Sequence, residues 1–172
     1  MSVEIPRLVT ARLVLRSFVA SDVEPYVRMM ADPEVTRFLG DGSPLDRIDA
    51  WRQLALLIGH WELRGFGLWA VEERSSGRFI GRIGCHEPEG WPGFELGYVL
   101  AREAWGQGLA REGAAAALEY ARRELGRDRI ISLIRPGNGA SIAVAEHFGA
   151  RHTDRIDFYG AATDVYTYPL SE

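Results

Sequence analysis

The 172-residue chain is predicted to form an α/β fold of the α+β type, with a mixed sheet of about seven strands and about four helices. Three observations support this prediction. A strand, a helix and another strand follow one another over residues 94–134, and this order requires a crossover between parallel strands. Hairpin patterns on both sides of this unit indicate antiparallel neighbours. Helical patterns lie before and after the hairpins, so helices should cover both faces of the sheet.

The first elements are indicated by alternation and by helix-start signals. Leu8 to Phe18 alternates and is rich in Leu and Val, which predicts a first strand. Ser21-Asp22-Val23-Glu24 has the spacing of a capping box, so a helix should run from there to about Ala31. Pro33 and the stretch 40–44 break the chain. A second helix is expected at about 45–64, ended by Gly65, with these residues on one side: Trp51, Leu54, Leu57, Ile58 and Trp61.

The remaining elements follow from shorter apolar runs separated by Gly and Pro. The predicted strands lie at 66–73, 78–86, 94–100, 130–134, 152–158 and 164–170. The predicted helices lie at about 108–124 and 141–148. Four alanines at 114–117 indicate a helix that packs closely against the sheet. No linker or internal repeat interrupts the pattern, so residues 1–172 are expected to form one domain.

A glycine-rich elbow joins the strand at 94–100 to the helix at 108–124. It reads Trp105-Gly106-Gln107-Gly108-Leu109-Ala110. The first amides of a helix have no intrahelical partner, and the helix dipole favours negative charge there. The two glycines let the backbone approach a ligand without a Cβ in the way. The elbow therefore predicts a site for a phosphate-bearing ligand, while a simple tight turn is the alternative.

Composition excludes several classes of protein. Hydrophobic residues make up 47% and charged residues 26% of the chain, as in ordinary globular proteins. The net charge is −4 and no basic cluster occurs, which argues against nucleic acid as a partner. No apolar run is long enough to span a membrane, and the N-terminus lacks the pattern of a signal peptide. Cys85 is the one cysteine, so no internal disulfide forms, and a cytoplasmic location is expected.

Glu95 is a candidate general base. It interrupts an apolar strand on the face that also carries Gly97 and Val99. Burial raises the pKa of a lone carboxyl, which suits a base that works near neutral pH. The alternative is a strand-end glutamate in water or paired with arginine. The histidines have no metal-ligand spacing, so no metal is expected.

Four segments of the chain carry a resemblance to a known family. They are 10–16 (Thr-Ala-Arg-Leu-Val-Leu-Arg), 95–100 (Glu-Leu-Gly-Tyr-Val-Leu), the elbow at 105–110, and Asn138-Gly139-Ala140-Ser141 together with Phe148-Gly149-Ala150. They resemble the GNAT superfamily of acetyl-CoA-dependent N-acetyltransferases, and most closely the branch that includes the ribosomal-protein N-terminal acetyltransferases. The superfamily elbow is Gln/Arg-x-x-Gly-x-Gly/Ala; here Gly108 and Ala110 match it, and Trp105 occupies the Gln/Arg position. The similarity covers nearly the whole chain.

The resemblance implies a GNAT fold with a parallel βαβ cofactor unit and assigns roles to particular residues. The backbone of Tyr98, Val99 and Leu100 would pair with the pantetheine arm of acetyl-CoA. Asn138 and Ser141 would lie beside that arm, although both residues are also ordinary helix caps. Ser141 could also donate a hydrogen bond to the departing thiolate. The pyrophosphate would be held by the amides of Gly106, Gln107, Gly108, Leu109 and Ala110, with Arg111 near them and Trp105 at the start of the elbow.

The implied reaction is direct transfer of acetyl from acetyl-CoA to a primary amine within a ternary complex. The expected acceptor is the α-amine of a protein or peptide N-terminus. A small-molecule amine, such as an antibiotic, a polyamine or an amino acid, is the first alternative, and a non-catalytic acyl-CoA-binding module is the second. Neither a nucleic acid nor a membrane is expected as a partner, and the chain would act as a monomer or a homodimer.

Overall fold

A computed structural model describes residues 3–170, in which eight strands form one mixed sheet of order β1-β2-β3-β4-β5-β6-β8-β7. The strands are β1 Leu8–Val9, β2 Leu13–Arg16, β3 Leu68–Glu73, β4 Phe79–His86, β5 Glu95–Leu100, β6 Ile131–Ile134, β7 Arg151–Phe158 and β8 Ala161–Thr167. The α-helices are α1 Val23–Met30, α2 Pro33–Thr36, α3 Arg47–Arg64, α4 Leu109–Arg123 and α5 Gly139–His147. Short 3₁₀ turns lie at Ala20–Asp22 and Arg102–Ala104.

Strands β5 and β6 form the one parallel pair of the described sheet, and α4 makes the crossover between them. All other neighbouring strands are antiparallel. The predicted mixed sheet and its parallel strand–helix–strand unit are therefore confirmed. The order places β5 inside the sheet, between β4 and β6. The carboxyl end of β5 leads through residues 101–108 into the first turn of α4, and Leu100 and Leu109 line the same groove.

Helices cover both faces of the sheet, as predicted. Leu68 of β3 belongs to the buried cluster that includes Tyr26 of α1 and Leu57 of α3. The next residue, Trp69, faces the other way and lies 5.2 Å from Tyr120 of α4 between ring centroids. The alanine-rich helix packs closely, since a Cβ on its Gly113 would lie 2.5 Å from the Ile83 side chain. The prediction of close helix–sheet packing is therefore confirmed.

Two local predictions about the first elements were wrong. The expected strand 8–18 is two antiparallel strands, because Thr10 N–H bonds back to Leu13 C=O at 2.9 Å and reverses the chain. The capping box at 21–24 does not form, and α1 begins at Val23. The Asp22 carboxylate instead accepts from Arg16 Nη1 at 2.7 Å. The turn at Thr10 and the Arg16–Asp22 ion pair therefore replace the continuous strand and the capping box that the sequence patterns predicted.

The outer face of α3 also differs from the prediction. Leu54, Leu57 and Trp61 are buried as expected, whereas Trp51 is 57% exposed and Ile58 is 44% exposed. The apolar residues thus extend beyond the side that faces the sheet. Gly65 ends the helix in the left-handed conformation with φ of 75°, as predicted.

Candidate functional site

Strands β5 and β6 separate soon after they meet. Glu95 opposite Ile131 is their one aligned pair among the described residues. Beyond it, side chains bridge the two strands. Ser132 Oγ donates to Leu96 C=O at 2.6 Å, and Leu133 N–H donates to Glu95 Oε1 at 3.4 Å. The later part of β5 therefore borders an opening in the sheet.

The elbow lies at the wide end of this opening. Gly106 and Gly108 have φ of 73° and 76°, the left-handed region that glycine adopts without strain. A Cβ on Gly106 would meet no atom within 4 Å, so a ligand has room to approach the backbone there. Helix α4 begins directly afterwards at Leu109. Trp105 anchors the elbow because its Nε1 donates to Leu100 C=O at 2.8 Å.

A network from the N-terminal strands holds the elbow in place. Arg12 Nη1 donates to Gln107 C=O at 2.9 Å, and Arg12 Nε donates to Glu112 in the first turn of α4 at 2.7 Å. Thr10 Oγ1 donates to the same carboxylate at 2.6 Å. The Gln107 side chain bonds to Glu103 C=O at 2.9 Å. Sequence reasoning missed the contribution of Arg12. Its partner Gln107 is 95 residues further along the chain, and no local pattern predicts a contact over that separation.

A groove of about 590 Å³ connects the opening to the elbow. Every residue that was predicted to bind the cofactor lines it except Gln107, namely Tyr98, Val99, Leu100, Trp105, Gly106, Gly108, Leu109, Ala110, Arg111, Asn138 and Ser141. Sequence reasoning missed the wall formed by α2 and the residues after it: Glu34, Val35, Arg37, Phe38 and Leu39. The signal for α2 was Asp32 followed by Pro33, an N-cap with proline at the first helical position.

The start of α5 forms the opposite wall of the groove. Asn138 caps this helix, and its Oδ1 accepts from Ser141 N–H at 3.3 Å. Tyr98 OH donates to Ser141 C=O at 2.8 Å, and burial raises the pKa of Tyr98. The Ser141 hydroxyl makes no hydrogen bond to another described residue, so it is free to donate to a ligand.

Glu95 lies at the narrow end of the opening, outside the lining of the groove. Burial raises the pKa of Glu95 to about 7, although the hydrogen bonds that its carboxylate accepts act in the other direction. Trp91 Nε1 donates to Oε2 at 2.7 Å, and Leu133 N–H reaches Oε1 at 3.4 Å. A carboxyl of this pKa exchanges a proton near neutral pH, which is the property required of a general base.

Aromatic rings cover the same end of the sheet. The Trp91 ring centroid lies 4.9 Å from His86, 4.8 Å from Phe158 and 6.2 Å from Tyr159. Burial lowers the pKa of His86 to about 3, so its imidazole is neutral. His60 has both ring nitrogens engaged, since Nδ1 lies 2.7 Å from a carbonyl and Nε2 accepts a backbone N–H at 3.1 Å. His60 thus has a structural role.

Three further observations concern the described residues outside this site. A second depression, of about 650 Å³, lies along α1 and α2 and contains none of the predicted site residues. Within residues 3–170, no group of His, Cys, Asp and Glu side chains is arranged to hold a metal ion. No helix in that part of the chain is both long and apolar enough to cross a membrane.

Comparison with known proteins identifies relatives of this arrangement. A model of the acetyltransferase (GNAT) domain matches residues 12–151. The crystal structure of an acetyltransferase from Agrobacterium tumefaciens is 30% identical, with 98% of this chain and 96% of that chain covered and a TM-score of 0.85. YkkB of Bacillus subtilis (strain 168) is 31% identical over 168 residues, which cover 93% of this chain and 94% of that protein.

A more distant structure shares the fold. RimL, a ribosomal L7/L12 α-N-protein acetyltransferase solved in complex with coenzyme A, is 18% identical and has a TM-score of 0.78. The superposition covers 95% of this chain and 97% of that chain. The family model over residues 12–151 confirms the resemblance to the GNAT superfamily that the four sequence segments indicated.

Proposed function

Because the chain belongs to the GNAT family of acetyltransferases, which acetylate amines with acetyl-CoA, we propose that its acceptor is the α-amine of a protein or peptide N-terminus. The observation that carries this proposal is Glu95, a carboxyl whose pKa is raised to about 7. A neutral amine is needed for attack. At pH 7, deprotonation costs about 1 kcal/mol for an α-amine and about 4.6 kcal/mol for lysine. A base of this strength suits the α-amine.

The residues of the groove fit acetyl-CoA as the donor. The elbow offers unpartnered amides at the N-terminus of a 15-residue helix, next to a glycine that leaves space for a phosphate. Beyond Leu96 the main chain of β5 lies along the opening, where Tyr98 can pair with an amide-containing arm. When bound, acetyl-CoA supplies the acetyl thioester. Asn138 and Ser141 would border its arm on the α5 side.

In this proposal Glu95 and Ser141 have defined tasks in the reaction. Glu95 removes the proton from the acceptor ammonium, directly or through a water molecule. The Ser141 hydroxyl donates a hydrogen bond where the sulfur departs. Binding donor and acceptor side by side in one domain of 172 residues supplies up to roughly 7–11 kcal/mol of the barrier through positioning.

The acceptor proposal is tested with two peptides of the same length that differ in which amine is available. One has a free N-terminus and no lysine, and the other is blocked at its N-terminus and carries one lysine. We expect faster acetylation of the free N-terminus at pH 7, because its amine is deprotonated at lower cost. Faster acetylation of the blocked peptide would reject the proposal. Acetylation of small amines alone would favour the small-molecule alternative. If none of the acceptors causes release of the coenzyme A thiol, the binding-module alternative is favoured.

Cys85 tests direct transfer. The side chain is fully buried on β4, and burial raises the pKa of its thiol to about 12, so a nucleophilic thiolate is disfavoured. Cys85→Ala is expected to retain at least about half of the turnover, since an inert buried thiol contributes packing alone. Initial rates measured against both substrates should give intersecting lines. Parallel lines, together with an acetylated Cys85 that passes its acetyl group to the amine, would overturn direct transfer.

A further inference from the structure

Two buried polar atoms lack a hydrogen-bond partner among residues 3–170, and both lie on β4. They are Arg82 Nε and His86 Nδ1. Buried polar groups are nearly always paired, so each exception calls for an explanation, such as a ligand that supplies the missing partner. The two residues are four apart on one strand and therefore share a face of the sheet.

This face is continuous with the position of Glu95. In the β4–β5 pairing, Arg82 lies opposite Val99, Gly84 lies opposite Gly97, and His86 lies opposite Glu95. Gly84 and Gly97 place no side chains between the polar ends, where Leu68 Cδ2 of β3 lies 3.7 Å from the Cβ position of Gly97. Strand rise places the two ends about 13 Å apart at the backbone.

Arg82 lacks the counter-ion that such a position requires. No Asp or Glu carboxylate of residues 3–170 lies within salt-bridge distance of its guanidinium. The Arg82 charge adds to the burial that lowers the pKa of His86, and it opposes the burial that raises the pKa values of Tyr26 and Glu95. A partly buried cation without an anion is costly unless a partner arrives.

We propose that Arg82 forms a subsite for an anionic group of the acceptor, so that the enzyme selects amines that carry a carboxylate one or two residues from the reacting nitrogen. A guanidinium binds a carboxylate through two parallel hydrogen bonds, and Nε is one of the donors in that geometry. The inference rests on the proposed function in one respect, namely that the reacting amine lies beside Glu95. His86 lies opposite Glu95, and its unpartnered Nδ1 can bond to the acceptor backbone.

The test compares acceptors that differ only in the carboxylate. One pair is an amidated peptide beginning Ala-Asp and its Ala-Asn counterpart. A second pair is Ala-Ala with a free carboxylate and Ala-Ala amide, which separates a main-chain source of the anion from a side-chain source. The third pair is 4-aminobutyrate and 4-aminobutyramide. We expect kcat/KM of the wild-type enzyme to be at least about tenfold higher for the carboxylate member of one or more pairs.

Arg82→Met and Arg82→Lys are the informative variants, and Arg78→Met is the matched control just before the same strand. Arg82→Met should reduce the preference to within about twofold and leave the KM for acetyl-CoA unchanged. Arg78→Met should keep the wild-type ratio. If Arg82→Met does not fold, Arg82→Lys decides, because losing the second hydrogen bond should lower the ratio at least about threefold.

The outcomes separate this inference from the proposed function. Equal use of both members of every pair by the wild type, or a preference that survives in the folded Arg82 variant, would overturn the anion subsite. Acetylated peptides without a carboxylate preference would leave the N-terminal function standing and remove the subsite. An Arg82-dependent preference for 4-aminobutyrate, with no peptide acetylated, would support the subsite and reject the N-terminal acceptor.

Discussion

Gly108→Glu is expected to weaken acetyl-CoA binding at least about tenfold, which corresponds to about 1.4 kcal/mol. The substitution places a side chain and a negative charge at the N-terminus of α4, where the donor's pyrophosphate is proposed to lie. A Cβ at this position would meet only the Arg12 side chain, at 3.6 Å, so the cost to the fold is the left-handed backbone at φ of 76°, about 1–2 kcal/mol. Titration calorimetry with acetyl-CoA measures the loss directly.

Gly126→Glu is the matched control for this variant. Gly126 lies beyond the other end of the same helix, has φ of 60° and would place its Cβ in open space. Both substitutions therefore put glutamate into a left-handed conformation at similar cost. Only Gly108→Glu should change the affinity for acetyl-CoA. Equal affinity in the two folded variants would show that the elbow does not hold the pyrophosphate.

Glu95→Gln is expected to slow kcat/KM at pH 7 at least about tenfold, with a smaller deficit above pH 9. The carboxylate form is the active base, and the pKa of Glu95 is raised to about 7, so wild-type activity should fall as the pH drops through 7. The variant has no base and depends on amine that is already neutral, a fraction that shrinks below pH 8. A pH–rate series on the free N-terminal peptide distinguishes the two enzymes.

The same variant has a consequence for stability. The folded protein holds the Glu95 proton more tightly than the unfolded chain, whose pKa is about 4.5. Wild-type stability should therefore decrease as pH rises from 4.5 through 7, by at most about 3 kcal/mol. Glu95→Gln lacks this decrease. Denaturant unfolding at pH 4.5 and pH 8 measures the difference.

Glu89→Gln controls for the loss of a nearby glutamate, because the Glu89 side chain is fully exposed. It should match the wild type in both the pH–rate profile and the pH dependence of stability. A Glu95→Gln profile that superimposes on that of Glu89→Gln would remove Glu95 from the mechanism.

Local patterns in the sequence were sufficient for the centre of the fold. The run at 94–134 predicted a parallel strand–helix–strand unit, and β5, α4 and β6 occupy it. The elbow was recognisable because Gly106 and Gly108 precede a helix, and both adopt positive φ. These features depend on residues that are close in the chain, so their spacing alone specifies them.

Contacts between residues that are far apart in the chain determined the parts of the fold that local patterns did not predict. Thr10 and Arg12 lie in the turn between β1 and β2, and both bond to Glu112 at the start of α4, about 100 residues further along the chain. The α2 wall of the groove became evident only when that short helix was placed opposite α5.

The candidate site shows the same division between sequence and structure. The sequence by itself determined that Glu95 interrupts an apolar strand and is a candidate base. Only the tertiary structure decided that Arg82 and His86 share its face with unpartnered nitrogens, because strand register is set by pairing across the sheet. The burial that raises the pKa of Glu95 likewise comes from packing around it. The sequence shows which residues can do chemistry, whereas their contacts and their burial depend on the tertiary structure.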